Sequence, residues 1–324
     1  MSRIILHIGT HKTATTHIQD LFFHNRKLLA RHGIIYPRIG VMRAHHGLAS
    51  GWIKLPERYR LRNPQGAWTR IVKTWAATDK TIFISSEEFS RLYPARVNMA
   101  QLRDIVSGFD DITVLCCLRN QAGFLQSVYQ QISDERNPGR WPQFLNQALE
   151  RRVVDGLSLD YNLLYDHLRT GFAPGEIQLV SYDLARSSAG GIVQNLIETL
   201  DLPVQSTELV ACGPDRANVS PPPLASLVAN VIAAPGVAQP ALVARVLRQI
   251  EQSVPEAGSA TLFSRAELAQ LRRTVRPWNR RLHARVSDGF EFGPMPGPGP
   301  RIFRGRLETQ FWMDLCRDLA LAPG

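Results

Sequence analysis

A lysine and several threonines near the start of the chain have the types and the spacing that anion binding requires. Lys12 is followed by hydroxyl residues at Thr13, Thr15 and Thr16. A lysine supplies a full positive charge, hydroxyls donate hydrogen bonds, and the backbone N–H groups of a tight loop complete the set of donors. These residues therefore predict a cradle for a phosphate or a similar anion.

The residues on either side of this loop predict the elements that position it. Ile4–Ile8 is a short, apolar, mostly β-branched run of the kind found in buried strands, and Gly9 and Thr10 interrupt it. The apolar residues then fall on one helical stripe, formed by Ile18, Leu21, Phe22, Leu28 and Leu29. The order strand, tight loop, helix directs the positive end of the helix towards the anion.

A second cation follows another predicted strand. The run Asp111–Asn120 is nearly all apolar, as a central parallel strand should be, and Arg119 lies at its end. Ser127 lies eight residues beyond Arg119, on a predicted helix. Arginine suits phosphate because its planar fork meets two oxygens at once. The alternative is that Arg119 forms an ordinary surface ion pair.

A carboxylate and two histidines are candidates for proton transfer. Glu87 and Glu88 end a second strand signal over residues 80–88, and His45 and His46 lie between the first and second core strands. In a parallel sheet, ligands bind beyond the carboxyl ends of the strands, which would bring Glu87 near Lys12. The alternative is that Glu87 and Glu88 begin a helical turn, where acidic residues favour the helix dipole.

The loop departs from the nucleotide-triphosphate motif, in which the lysine directly precedes the last hydroxyl residue. The segment Lys12-Thr13-Ala14-Thr15-Thr16 resembles instead the 5′-phosphosulfate loop of the bacterial-type sulfotransferase family. That family usually has glycine where this chain has Ala14. The methyl group is tolerated if Ala14 has a negative φ and is strained if it does not.

The order of strand, arginine, helix and serine resembles the second signature of the same family, which holds a 3′-phosphate. The resemblance implies the donor 3′-phosphoadenosine-5′-phosphosulfate (PAPS), with 3′-phosphoadenosine-5′-phosphate (PAP) as its product. Tyr182, at the end of a predicted strand, would approach the adenine, and Arg216 would reach a phosphate from a closing loop. The cofactor-binding residues that the resemblance implies are His11, Lys12, Thr13, Ala14, Thr15, Thr16, Arg119, Ser127, Tyr182 and Arg216.

The chemistry that this resemblance implies is in-line transfer of a sulfuryl group to an acceptor hydroxyl. Lys12 would neutralise the leaving phosphate, a form of charge stabilisation that is normally a large catalytic contribution. A base must take the acceptor's proton, and Glu87 is the first choice and His46 the second. No metal is expected, because Lys12 and Arg119 supply the positive charge.

The pattern of strands and helices predicts the fold and the domains. Successive β–α units with polar strand ends imply a three-layer α/β/α sandwich with a central parallel sheet, like that of P-loop nucleotide hydrolases, and a helical C-terminal part. We expect one domain over residues 1–292, with a partly helical substrate cap at 40–78. A Pro/Gly linker and an amphipathic extension are expected over 293–324.

Composition limits the classes of partner. The formal charge of +10 and the pI near 9.9 favour an anionic partner, but no nucleic-acid motif is visible, so no nucleic acid is expected. A polyanionic small ligand or an acidic acceptor explains the charge equally well. A sugar hydroxyl, on an acidic or lipid-linked glycan, is a hypothesis for the acceptor. A homo-oligomer is left open.

Cysteine usage and hydropathy predict the compartment. Cys116 and Cys117 are neighbours in a predicted strand and should point to opposite faces, and no pair of cysteines has metal-ligand spacing. Met1 leads almost directly into the first strand without a secretory signal, and no long uncharged apolar run indicates a membrane span. We therefore expect a cytoplasmic enzyme.

Two other functions fit the same residues. In a P-loop kinase or nucleotidase, Glu87 would be a magnesium ligand and ATP binding would depend on the metal. In a non-catalytic polyanion binder, the arginines of a predicted basic helix over 264–286 would carry the binding and Lys12 would not. Metal-free binding of PAP that depends on Arg119 separates these from a sulfotransferase.

Overall fold

The computed structural model describes residues 1–211, 222–253, 260–286, 290–295 and 302–321. Its described residues form two compact units that interleave along the chain. The first unit takes residues from Met1–Asn120, Asp155–Ala217 and Pro277–Pro294, and the second from Gln121–Val154, Asn218–Arg276 and Met295–Gly324. The domain boundary expected at residue 292 stays a prediction.

A parallel sheet is the centre of the first unit. Its strands run in the order β2-β3-β1-β4-β7, and each pairs in parallel with its neighbours. The short apolar runs of the sequence explain these strands, because residues buried on both faces need no alternation of polar positions. The strands of the described chain are β1 (Arg3–His7), β2 (Ile34–Ile35), β3 (Thr81–Ser85), β4 (Asp111–Leu118), β5 (Val153–Val154), β6 (Leu157–Ser158), β7 (Ile177–Ser181), β8 (Ala260–Thr261) and β9 (Ile302–Phe303).

The helices follow the stripes of apolar residues that the sequence contains. The α-helices of the described chain are α1 (Thr15–His24), α2 (Arg26–Arg31), α3 (Pro64–Trp75), α4 (Met99–Ile105), α5 (Gln121–Ser133), α6 (Trp141–Arg151), α7 (Tyr161–Leu168), α8 (Tyr182–Ser187), α9 (Gly191–Thr199), α10 (Pro223–Ala233), α11 (Pro240–Ser253), α12 (Arg265–His283) and α13 (Thr309–Leu321). Short 3₁₀ helices include His46–Ala49, Glu57–Tyr59 and Glu87–Ser90.

Two apolar clusters cover the two faces of the sheet. Side chains of α3, α4 and α7 pack on one face, and those of α1, α2 and α9 pack on the other. Alternate residues of β4 point to opposite clusters: Cys116 lies in the first and Cys117 in the second. This arrangement confirms the three-layer α/β/α architecture and the opposite orientations expected of the two cysteines.

The strand order places a topological switch point in the middle of the sheet. From β1 the chain goes to β2 and β3 on one side, and then crosses back to β4 and β7 on the other. Ligands of open parallel sheets bind beyond the carboxyl ends of the strands at such a point. The loop containing Lys12 follows β1, and Arg119 follows β4.

The second unit is mainly helical. Trp141 packs edge-on against both Tyr129 and Phe263, with ring centroids 5.4 Å and 4.8 Å away. The Asn230 side chain donates a hydrogen bond of 2.7 Å to Ser133 Oγ. Strands β8 and β9 pair in parallel in this unit. Helix α12 agrees with the basic helix expected over residues 264–286.

Candidate functional site

The loop after β1 is fixed by backbone contacts to β4. Thr10 N–H donates to Cys117 O at 2.7 Å, and Thr10 Oγ1 donates to the same oxygen at 3.1 Å. Gly9 has φ 77°, and a Cβ at Gly9 would lie 2.8 Å from Glu87 Cβ. Glycine is therefore required at position 9, both for its positive φ and because Glu87 approaches so closely.

Two residues of the loop without glycine's freedom adopt the left-handed conformation. Lys12 has φ 66°, and Ala14, the N-cap of α1, has φ 60°. The strained alternative for Ala14 is therefore the one that the chain adopts. Ala14 has no side-chain group that could cap α1, and left-handed residues in a turn orient backbone N–H groups into an anion-binding concavity.

The threonines of the loop differ in what they offer. Thr13 is fully buried, and its hydroxyl donates to Thr10 O at 2.6 Å, which closes the loop from inside. Thr15 is also buried, whereas Thr16 is exposed. The Thr13 hydroxyl thus stabilises the loop, and only its backbone N–H is left to contact an anion.

Arg119 lies against the loop from the neighbouring strand. Its Nη1 donates to the backbone oxygen of Lys12 at 3.2 Å, and its guanidinium carbon lies 5.2 Å from the centre of the Tyr182 ring. Tyr161 Oη donates to Arg119 O at 2.7 Å, which fixes the backbone of Arg119. The structure therefore brings Lys12, Arg119 and Tyr182 together at one edge of the sheet.

Glu87 stands at the same edge, after β3. Its Oε2 accepts a hydrogen bond of 2.9 Å from Gln19 Nε2 and lies 3.9 Å from His46 Nδ1. Burial raises the pKa of Glu87, but His11, His46 and the Gln19 amide together outweigh burial, so the pKa lies below its usual range. Glu87 is consequently a carboxylate at neutral pH and can accept a proton. It also begins the 3₁₀ helix Glu87–Ser90, so the expected helical turn is present as well.

His11 and His46 complete the immediate surroundings of Glu87. His11 is only 8% exposed, and its Nε2 is buried without a hydrogen-bond partner among the described residues. Burial lowers the pKa of His11, against the opposing effect of Glu87 and Glu88. His46 Nδ1 lies 2.9 Å from Ser86 Oγ. An anion at the loop would give the His11 nitrogen a partner.

His7 and His45 are buried, and both form hydrogen bonds with Ser85. His45 Nε2 donates to Pro37 O at 2.7 Å, and His45 Nδ1 accepts from Ser85 N–H at 2.9 Å. His7 Nδ1 lies 2.8 Å from Ser85 Oγ. Both nitrogens of His45 are thus engaged in holding the backbone, which leaves His46 as the member of the pair that can exchange a proton.

Sequence reasoning did not find His7 or Gln19. Each is a polar residue at a position that the surrounding pattern assigns to the core: His7 lies within the apolar strand β1, and Gln19 lies next to Ile18 on the buried side of α1. A polar residue in such a position needs a partner, because an unpaired buried polar group is destabilising. That requirement was the available signal.

Two further residues were expected to bind the nucleotide, namely Ser127 and Arg216. Ser127 is on α5, in the second unit, and its role stays a prediction. Arg216 lies outside the described residues. Among the described residues, no group of three or more His, Cys, Asp or Glu side chains has an arrangement that could hold a metal ion. Within the same residues, no helix has both the length and the apolar character needed to cross a membrane.

Comparisons with known proteins give matches among solved structures. No protein-family model matches the chain, and no curated protein sequence matches it. The sulfotransferase from Alicyclobacillus acidocaldarius is 15% identical, with a TM-score of 0.41, and the match covers 85% of this chain and 97% of that one. Mouse sulfotransferase SULT7A1 complexed with PAP is 12% identical, with a TM-score of 0.39, covering 87% and 88%. Both TM-scores and identities are low, so the function has to be inferred from this chain's own residues.

Replacing Ala14 with glycine should stabilise the protein. A left-handed conformation costs an alanine about 1–2 kcal/mol, while glycine loses about 0.5–1 kcal/mol of backbone entropy, so we expect a net gain of about 0.5–1 kcal/mol. Urea unfolding measures the change. The matched control is Ala30→Gly, in α2. This variant should be less stable than the unmodified protein by about 1 kcal/mol. Destabilisation by Ala14→Gly would contradict the positive φ.

Acidification should destabilise the protein through its buried histidines. Burial lowers the pKa of His7 and His45 from 6.5 to about 4. The unfolded chain then binds more protons than the folded one as the pH falls through this window, so stability that is complete above pH 6.5 is lost towards pH 4. Each histidine corresponds to about 3 kcal/mol.

Urea unfolding at about pH 7.5 and about pH 5 measures this effect. His45→Gln should lower stability at the higher pH but flatten the pH dependence. The control is His24→Gln, at the exposed end of α1, which should keep the slope of the unmodified protein. Equal stability at both pH values would show that His7 and His45 are not held neutral.

Proposed function

We propose that this protein is a sulfotransferase that moves the sulfuryl group of PAPS to an acceptor hydroxyl. The observation that carries this proposal is the convergence of Lys12 and Arg119, joined by the 3.2 Å hydrogen bond from Arg119 Nη1 to Lys12 O. Two cations on different strand ends, at the switch point of a parallel sheet, suit one ligand with two phosphate groups. Glu87 follows the neighbouring strand β3 and adds a carboxylate at the same end of the sheet.

The residues present fit such a donor. The loop offers backbone N–H groups at an uncapped helix start, the charge of Lys12, and the buried Nε2 of His11. These would hold the 5′-phosphosulfate. Arg119, braced by the loop oxygen and by the Tyr182 ring, would hold the 3′-phosphate, and Tyr182 would lie beside the adenine.

When bound, PAPS supplies an activated sulfuryl group. Lys12 and the loop N–H groups stabilise negative charge on the 5′-phosphate side, where charge accumulates as the group departs. Arg119 fixes the opposite end of the nucleotide. Orientation of this kind removes translational and rotational freedom before the reaction and contributes to the rate.

Glu87 is the proton acceptor in this proposal. Its lowered pKa keeps it ionised, and the hydrogen bond from Gln19 engages Oε2 and fixes the orientation of the carboxylate. The proton of the acceptor hydroxyl passes to Glu87 as the hydroxyl oxygen forms its bond to the transferred sulfuryl group. His46, 3.9 Å away, can receive or relay the same proton.

The nucleotide site is tested by titration calorimetry with PAP in the presence of a chelator. We expect metal-free binding that falls about 100-fold in Arg119→Gln and in Lys12→Ala, because each loses a charge-assisted hydrogen bond to phosphate. Arg60→Gln, an exposed arginine of the cap, is the matched control and should bind normally. Binding of ATP that requires magnesium, or PAP binding unaffected by both changes, would contradict the assignment.

The base is tested by Glu87→Gln, which keeps the shape of the side chain and removes its charge. With labelled PAPS and a panel of hydroxyl acceptors, kcat should fall by about 10²–10⁴-fold. PAP affinity should stay within about twofold, since Glu87 does not hold the nucleotide in this proposal. His46→Asn is the comparison. Full activity in Glu87→Gln together with loss in His46→Asn would move the role of base to His46.

A further inference from the structure

A cavity in the cap region is lined by cations. It has a volume of about 390 Å³ and is formed by the segment after β2, by residues 61–67, and by one side of α3. Among the described residues that line it, three are arginines and none is acidic. The arginines are Arg38, Arg62 and Arg70. A cavity of this size lies near the lower end of the range that holds small organic ligands, about 300–1,000 Å³.

The rest of the cavity wall includes apolar side chains. Leu61, Ile71 and Trp75 all line it. All three arginines are exposed to solvent, which screens their mutual repulsion, and no acidic residue is among the described residues that line the cavity. Elsewhere in the same unit arginines do have acidic partners, as Arg43 has in Asp20 at 3.1 Å. An anion carried on an apolar or sugar ring would bind the arginines through its charge and pack its ring against the apolar side chains.

The strand order places one wall of this cavity after the strand that neighbours the strand leading to the candidate base. Pro37, which lines the cavity, follows β2, whereas Glu87 follows β3, and these two strands are parallel neighbours. The carboxyl ends of the strands therefore present, in order, the cavity, Glu87, the Lys12 loop and Arg119. Neighbouring strands are about 4.8 Å apart, so β2 and β1 are separated by roughly 10 Å.

One short segment connects the cavity to the histidine beside Glu87. The Tyr59 ring packs edge-on against the His46 ring, with centroids 5.1 Å apart. Leu61, two residues after Tyr59, lines the cavity. It lies close to Gly47, because a Cβ added at Gly47 would be 2.5 Å from Leu61 Cγ. His46 and the cavity thus contact the same segment.

We propose that this cavity binds the anionic group of the acceptor, so that the acceptor is an acidic molecule with a carboxylate, sulfate or phosphate on a ring. This inference rests on the proposed function, because the acceptor hydroxyl is taken to lie at Glu87. In the proposed function Lys12 and Arg119, which follow strands on the other side of β3, hold the phosphates of the nucleotide. The cap arginines are left for a second anion, and that anion belongs to the acceptor.

Fluorescence titration with 8-anilinonaphthalene-1-sulfonate, at saturating PAP, tests the cavity without any turnover. This probe carries one sulfonate on aromatic rings, and N-phenyl-1-naphthylamine is its uncharged analogue. The triple variant Arg38→Gln, Arg62→Gln, Arg70→Gln should bind the sulfonate at least about tenfold more weakly. The unmodified protein should bind the sulfonate more tightly than the uncharged analogue.

The matched control is Lys54→Gln, Arg60→Gln, Lys73→Gln, which removes the same charge from exposed positions of the cap outside the cavity. It should bind the sulfonate as the unmodified protein does. Urea unfolding of both triple variants checks that each is folded. Equal weakening in the two triple variants, or equal binding of the charged and uncharged probes, overturns the anion site.

Turnover with two matched sugars tests the acceptor class. Phenyl β-D-glucuronide carries a carboxylate that phenyl β-D-glucoside lacks, and kcat/KM should favour the glucuronide by about tenfold. The preference should disappear in the cavity variant and persist in the control variant. Equal use of both sugars overturns the acceptor class while leaving the nucleotide site intact. Failure of the proposed function gives a different result. PAP would then bind equally well to the unmodified protein, to Lys12→Ala and to Arg119→Gln, while binding of the sulfonate probe would be unchanged.

Discussion

The parallel pairing of β1 with both of its neighbours is the constraint on which the candidate site depends. His7, the last residue of β1, is in register with Ser85 of β3 and Leu115 of β4. The chain after each strand therefore emerges at one edge, although Lys12 and Arg119 are more than one hundred residues apart in sequence. A change in this register would shift the end of β1 relative to the ends of β3 and β4. The Lys12 loop would then no longer lie level with Glu87 and Arg119.

Electrostatics at this edge are arranged by burial as much as by charge. The same low-dielectric surroundings that keep His7 and His45 neutral would disfavour an ionised Glu87, yet the Gln19 amide and neighbouring histidines keep its pKa low. The result is an ionised Glu87 held between His46 and the Gln19 amide. A site of this kind needs little reorganisation when charge develops during a reaction.

Much of the fold could be predicted from the sequence, and less of the site. Apolar runs predicted the strands, and the parallel arrangement predicted that Glu87 and the Lys12 loop follow neighbouring strands. The left-handed conformation of Ala14 could not be predicted, because nothing local in the sequence distinguishes it from a helical alanine. The interleaved units and the arginine-lined cavity depend on contacts between distant segments, such as Gly40 with Leu61, which short-range patterns do not contain.

The adjacent cysteines of β4 give the sheet two built-in reporters. Both are fully buried, but Cys116 faces one helical layer and Cys117 the other. A thiol reacts only when its surroundings open, and local opening involves cooperative units rather than single residues. Alkylation of one cysteine before the other would therefore reveal which helical layer detaches first, at a single point of the backbone.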